Sequence, residues 1–76
     1  MNPMSMIIQM LMPQLQNKNP QMFQTINQAM QNNANPQMVL KQMMSNFNPQ
    51  QMEQVMNQAK QYGVPDNILN QVQNMK

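Results

Sequence analysis

Residues 19–49 read NPQMFQTINQAMQNNANPQMVLKQMMSNFNP, and the three Asn-Pro pairs in this stretch, Asn19-Pro20, Asn35-Pro36 and Asn48-Pro49, decide the fold. Asn is a strong helix N-cap, because its side-chain oxygen accepts one of the orphan backbone N–H groups of the first turn. Pro suits the first helical position, where its φ is already helical and its missing N–H would have had no partner. Each pair therefore marks a helix start. A fourth, Asn2-Pro3, lies at the beginning of the chain, and successive starts are 17, 16 and 13 residues apart. That spacing suits helices of about three turns with short connections.

Working outward, apolar residues between the punctuation marks recur at steps of three and four, the period of a helix with one buried face. The second segment carries Met22, Phe23, Ile26 and Met30. The third carries Val39, Leu40, Met43, Met44 and Phe47. The fourth carries Met52, Val55, Met56, Ala59 and Tyr62. Gly63 can take the left-handed conformation that stops a helix, and Pro65 or Asp66 then opens a last segment with Ile68, Leu69, Val72 and Met75. β-Branched residues are few and strict alternation is absent. The expectation is an all-α chain of five short helices, near 3–16, 20–32, 36–46, 49–62 and 66–75, with no sheet. Asn2, Asn19, Asn35 and Asn48 are the expected N-caps. Residues 1–76 would form one small helical domain or an extended helical chain.

The first segment differs from the rest. Met4, Met6, Ile7, Ile8, Met10, Leu11 and Met12 point in nearly every direction around a helix, and Pro13 should kink or end it. A chain of 76 residues has difficulty surrounding such a helix. Residues 1–17 are therefore the expected partner-contact segment, with Met4, Ile7, Ile8, Leu11 and Leu15 touching a second copy of the chain or a larger structural protein.

Composition narrows the function classes. Charged residues are 8% of the chain, against about 25% in an ordinary domain. Sixteen Gln and thirteen Asn supply most of the polar surface, and Met occurs 13 times. Met is flexible and polarizable and suits adaptable contact surfaces. Such amide-rich chains can also be disordered, but the helical spacing and its punctuation argue for order. The four Lys are dispersed and there is no Arg, so nucleic-acid specificity is not expected. The run from Met4 to Met12 is far shorter than the roughly 20 residues of a membrane span and lacks the charged start of a signal peptide.

Catalysis and metal binding lack their usual parts. There is no Cys and no His. Ser5, Ser45, Thr25 and Tyr62 have no evident base. Glu53 and Asp66 could form an acid–base pair, but both fall where a carboxylate complements the N-terminal dipole of a helix. Lys18, Lys41, Lys60 and Lys76 read as solvated charges near helix C-termini. Met4-x-Met6 and Met10-x-Met12 have the thioethers a Cu(I) site uses, but in so Met-rich a chain they read as part of an apolar helix. The expectation is a non-enzymatic protein with no cofactor and no metal.

Two resemblances bear on function. A start such as MNPMSMIIQMLM (1–12) and an end such as QAKQYGVPDNILNQVQ (58–73) resemble the small Met-, Gln- and Asn-rich proteins encoded among the head and portal genes of tailed bacteriophages. That resemblance implies a minor virion component, bound to a larger capsid, portal or neck protein and to copies of itself. The implied location is the virion, or the cytoplasm for a chain of other origin. Residues 19–56, beginning NPQMFQTINQAMQNNANPQMVLKQMMSN, are similar to the methionine-rich helical repeats of ubiquilin-like co-chaperones, in which Asn-Pro or Asp-Pro starts short helices that form a groove for hydrophobic client segments. Here Met22, Ile26, Met30, Leu40, Met43 and Met44 would line that groove. The departure is the lack of a ubiquitin-like, TPR or other flanking domain, which favours a fixed structural partner over an exchangeable client.

Overall fold

The computed structural model describes residues 2–75; the expectation for Lys76 lies outside them. The described residues form five helices and no strand: α1 (Pro3–Lys18), α2 (Pro20–Gln31), α3 (Pro36–Met44), α4 (Pro49–Gln61) and α5 (Asp66–Gln73). The first four start on Asn-Pro. Asn2 Oδ1 accepts from the Met4 N–H at 2.8 Å, Asn19 from Met22 at 3.1 Å, Asn35 from Gln37 at 2.9 Å and Asn48 from Gln51 at 2.8 Å. At α4 the cap is reciprocal, since the Gln51 side chain accepts from the Asn48 N–H at 3.0 Å and completes a capping box. Asn19 serves two helices: its N–H donates to the Leu15 carbonyl at 2.8 Å, ending α1, while its side chain starts α2. α5 has Pro65 at its N-cap and no side-chain cap bond.

The stops of α2 and α4 share one geometry. After α4, Gly63 lies at φ +97° and donates to the Lys60 carbonyl, while Val64 donates to Ala59. After α2, Asn33 lies at φ +60° and donates to Met30, while Ala34 donates to Ala29. Both are Schellman stops, with a left-handed residue just past the cap and an apolar residue behind it. Val64, which follows Gly63, is buried.

Pro13 neither ends nor interrupts α1, which continues to Lys18 rather than stopping near residue 16. The bond that Pro13 cannot make belongs to the Gln9 carbonyl, and both residues are on the exposed side of the helix. Water can reach that carbonyl there, which lowers the penalty of an internal proline. The other helix ends agree with expectation to within two residues, the span over which ends fray or tighten. At α3, for example, Asn46 and Phe47 donate to carbonyls three residues back in a tightened last turn.

The five residues of α1 expected to touch a partner lie inside the fold of the chain itself. Ile7, Ile8, Leu11 and Leu15 are fully buried and Met4 is 7% exposed. α1 is the central element: α2, α3 and α4 all pack against it, α2 also packs on α3, and α5 packs on α4. The five residues fall within an arc of about 100° on a helical wheel, so they form one stripe after all. The apolar residues at other angles are Met6, Met10 and Met12, and these are half-buried along the flanks of the same core. Four branched aliphatic side chains and Met4 occupy the covered face, and Met6, Met10 and Met12 lie outside it. The stripes of the other helices join the same core, with Ile26 from α2, Leu40 and Met43 from α3, and Val55 and Ala59 from α4, and these three helices pack on α1.

Candidate functional site: two methionine-lined clefts

No buried side-chain nitrogen or oxygen among the described residues lacks a hydrogen-bond partner, and every residue of the core is apolar. The interior therefore holds no polar group awaiting a ligand. What the packing leaves open are surface clefts where short helices diverge.

The first cleft runs between α1 and α2. Met12, Pro13 and Gln16 form one wall and Phe23, Asn27 and Met30 the other, around a volume of about 470 Å³. The second is a bay bounded by α3, α4 and α5. Its central hollow, about 360 Å³, is lined by Lys41, Met44, Phe47, Pro49, Met52 and Met75. Two further hollows adjoin it. One shares Met44, Pro49 and Met52 and extends past Met56 to Glu53. The other shares Lys41 and Met75 and extends to Met38, which is 71% exposed. The bay thus presents thioethers and one aromatic ring between a cationic side chain at one end and a carboxylate at the other.

Two short helices create this bay. α3 has nine residues and α5 eight, so both are shorter than the 13-residue α4 that also lines the bay. The corner between α3 and α4 is held down from the opposite side. Lys18 Nζ, at the end of α1, donates to Gln51 Oε1 at 3.0 Å and lies 5.5 Å from the centroid of the Phe47 ring. Asn19 Nδ2 donates to Asn46 Oδ1 at 3.2 Å. Lys18 was legible only as a charge near a helix C-terminus, and its contact across 33 residues of sequence is a product of folding.

The groove expected from the co-chaperone resemblance does not assemble from the expected residues. Ile26, Leu40 and Met43 are fully buried, and Met22, Met30 and Met44 are half-buried. Met30 and Met44 line different clefts. The sequence reading also placed Tyr62 on the buried stripe of α4, whereas it is 72% exposed and borders a small hollow with Met6 and Met10. Tyr62 is the C-cap residue of α4, where the chain turns away into the Gly63 stop and Val64 takes the core position instead.

Two of the candidate hydroxyls are engaged within their own segments of chain. Thr25 Oγ1 donates to the Gln21 carbonyl and Ser45 Oγ to the Gln42 carbonyl, each about one turn back on its own helix. Asp66 lies in the first turn of α5 as expected, whereas Glu53 sits just beyond the first turn of α4, so the dipole argument holds for Asp66 alone. Lys18, Lys41 and Lys60 occupy the last turns of α1, α3 and α4. No group of three or more His, Cys, Asp or Glu side chains that could hold a metal occurs among the described residues. Nor is any described helix long and apolar enough to cross a membrane.

These features define a five-helix all-α domain with methionine-lined surface clefts. Comparison with protein-family models, curated proteins and solved structures finds no match for this chain.

Proposed function

We propose that this chain is a non-enzymatic protein-binding module that takes an apolar helical segment of another protein in the bay between α3, α4 and α5. The observation that carries the reading is the bay itself: Met44, Phe47, Met52 and Met75 face a hollow although the core behind them is closed. Methionine side chains re-pack at little cost, so a surface built from them accepts apolar side chains of varied shape. An amphipathic helix laid in a groove is a common way to use such a surface.

The partner is a larger capsid, portal or neck protein in one form of this reading and an exchangeable client segment in the other. The sparse charge favours the first. A surface of Gln and Asn hydrogen-bonds across an interface without the desolvation penalty of buried charge, and only 8% of residues are charged. The anchor in this form is the bay and not the buried stripe of α1.

The test is titration of a fluorescently labelled, amphipathic 14-residue helical peptide of Leu, Ala, Lys and Glu into the chain and into a Met44→Glu/Met75→Glu variant. Both substituted positions are half-buried, so α1 to α4 should keep their fold and most of the helical circular dichroism, and amide exchange at Leu69 and Val72 reports whether α5 stays docked. Affinity should fall by about tenfold or more, as expected for placing carboxylates in an apolar contact. Equal binding by a folded variant would remove the bay from consideration. Co-sedimentation of the chain with intact particles of its source, lost in the same variant, would select the virion form.

A further inference from the structure

The chain contains no Cys, His or Trp. Its thioethers are therefore its principal targets for mild two-electron oxidants. The structure grades their access. Met38 is 71% exposed, Met44 and Met75 are half-buried at the mouth of the bay, and Met52 and Met56 are buried on its floor.

We propose that Met44 and Met75 are sulfoxidation sites at which a peroxide releases α5 from the rest of the domain. The thioether sulfur attacks one peroxide oxygen, the O–O bond breaks, an S–O bond forms and water leaves. Sulfur is oxidised by two electrons and the peroxide is reduced. The product carries a strong S=O dipole where an apolar group had packed, and the polar side chains lining the hollow are Lys41 at the rim and Ser45, whose hydroxyl already donates to the Gln42 carbonyl.

α5 is the element least able to absorb that change. It has eight residues, too few to be stable as an isolated helix, and no side-chain cap. Its surface is otherwise Asn, Gln and Asp, so its attachment rests on Ile68, Leu69, Val72 and the trailing Met75. Met75 lines the same hollow as Met44 and so carries the end of α5 across to α3. Oxidation at these two sulfurs acts on both sides of that one contact. Met38, reached first by oxidant, packs against little and should change nothing. This device is independent of whether the bay takes a partner.

The experiment exposes the folded chain to dilute hydrogen peroxide. Sulfoxide is mapped by peptide mass spectrometry, and amide exchange is followed in α5 and α1. Met38 should convert first with exchange unchanged. Conversion of Met44 and Met75 should then speed exchange at Leu69 and Val72 by about tenfold or more while α1 stays protected, the signature of local opening. Methionine sulfoxide reductases should restore protection. A Met44→Leu/Met75→Leu variant, similar in volume but inert to peroxide, should keep α5 protected after the same treatment. Unchanged α5 exchange in protein fully converted at both sites would overturn the proposal. So would loss of protection in the Leu variant at the wild-type rate, which would place the sensitive sulfurs elsewhere.

Discussion

α1 and α5 stand at opposite ends of the range of helix stability in this domain. α1 has 16 residues, an Asn side-chain cap and five buried apolar side chains, and three other helices pack on it. α5 has eight residues, no side-chain cap and two buried side chains, and it packs chiefly on α4. Isolated helices this short are marginal, so each derives its stability from tertiary burial. The contrast shows that apolar content alone does not mark an interaction surface. The most apolar helix of the chain has its main stripe most completely covered, and the bay opens beside the two shortest helices, α3 and α5.

The comparison breaks first at the core. Leu11→Ala should cost about 3–5 kcal/mol, because a fully enclosed site collapses poorly around a cavity, and Ile8→Asp should leave no folded fraction. Urea denaturation followed by circular dichroism measures the first; a cost under about 1 kcal/mol would mean that α1 is not the centre of the fold. Leu69→Ala, at the edge of the domain and already 8% exposed, should cost about 2 kcal/mol, at the lower end of the same series. Much of that loss should appear as faster amide exchange confined to α5. Equal costs at Leu11 and Leu69, with global exchange in both, would show the two helices to be one cooperative unit.

Caps come next. Asn48→Ala removes one half of the capping box and should cost about 1 kcal/mol. Gly63→Ala has open space for the new Cβ but must hold φ near +97°, and should cost about the same for that reason alone. Pro65 lies at φ −64°, ψ 151°, close to the −62°, 132° of Asn2. Pro65→Asn therefore offers α5 the cap it lacks and should stabilise it by about 0.5–1 kcal/mol, read as slower exchange at Leu69 and Val72. No slowing there would mean that docking, and not fraying from its N-terminus, limits α5. The smallest effect should come at Asn33→Gly, where the left-handed backbone suits either residue and stability should move by a few tenths of a kcal/mol.

Much of what depends on neighbours in the chain was legible in the sequence. Asn-Pro set four helix starts because a cap acts on N–H groups two or three residues away. Gly63 marked a stop because its conformational freedom is its own. The Asn33 stop was readable by the same rule, since Asn is the other residue that tolerates a left-handed backbone, but a row of Asn32, Asn33 and Asn35 disguises which one carries it. What depends on distant contacts was not legible. Counting Met6, Met10 and Met12 as equals of Ile7, Ile8 and Leu11 made α1 look apolar on all sides. A helical wheel already puts Met4, Ile7, Ile8, Leu11 and Leu15 on one face, and only the packing of α2, α3 and α4 shows that this face is covered. The hold of Lys18 on Phe47 and Gln51, the outward turn of Tyr62 and the bay between α3, α4 and α5 likewise follow from where whole helices come to rest. Burial is a property of the assembled layers, and periodicity states which face of a helix is apolar without stating what will cover it.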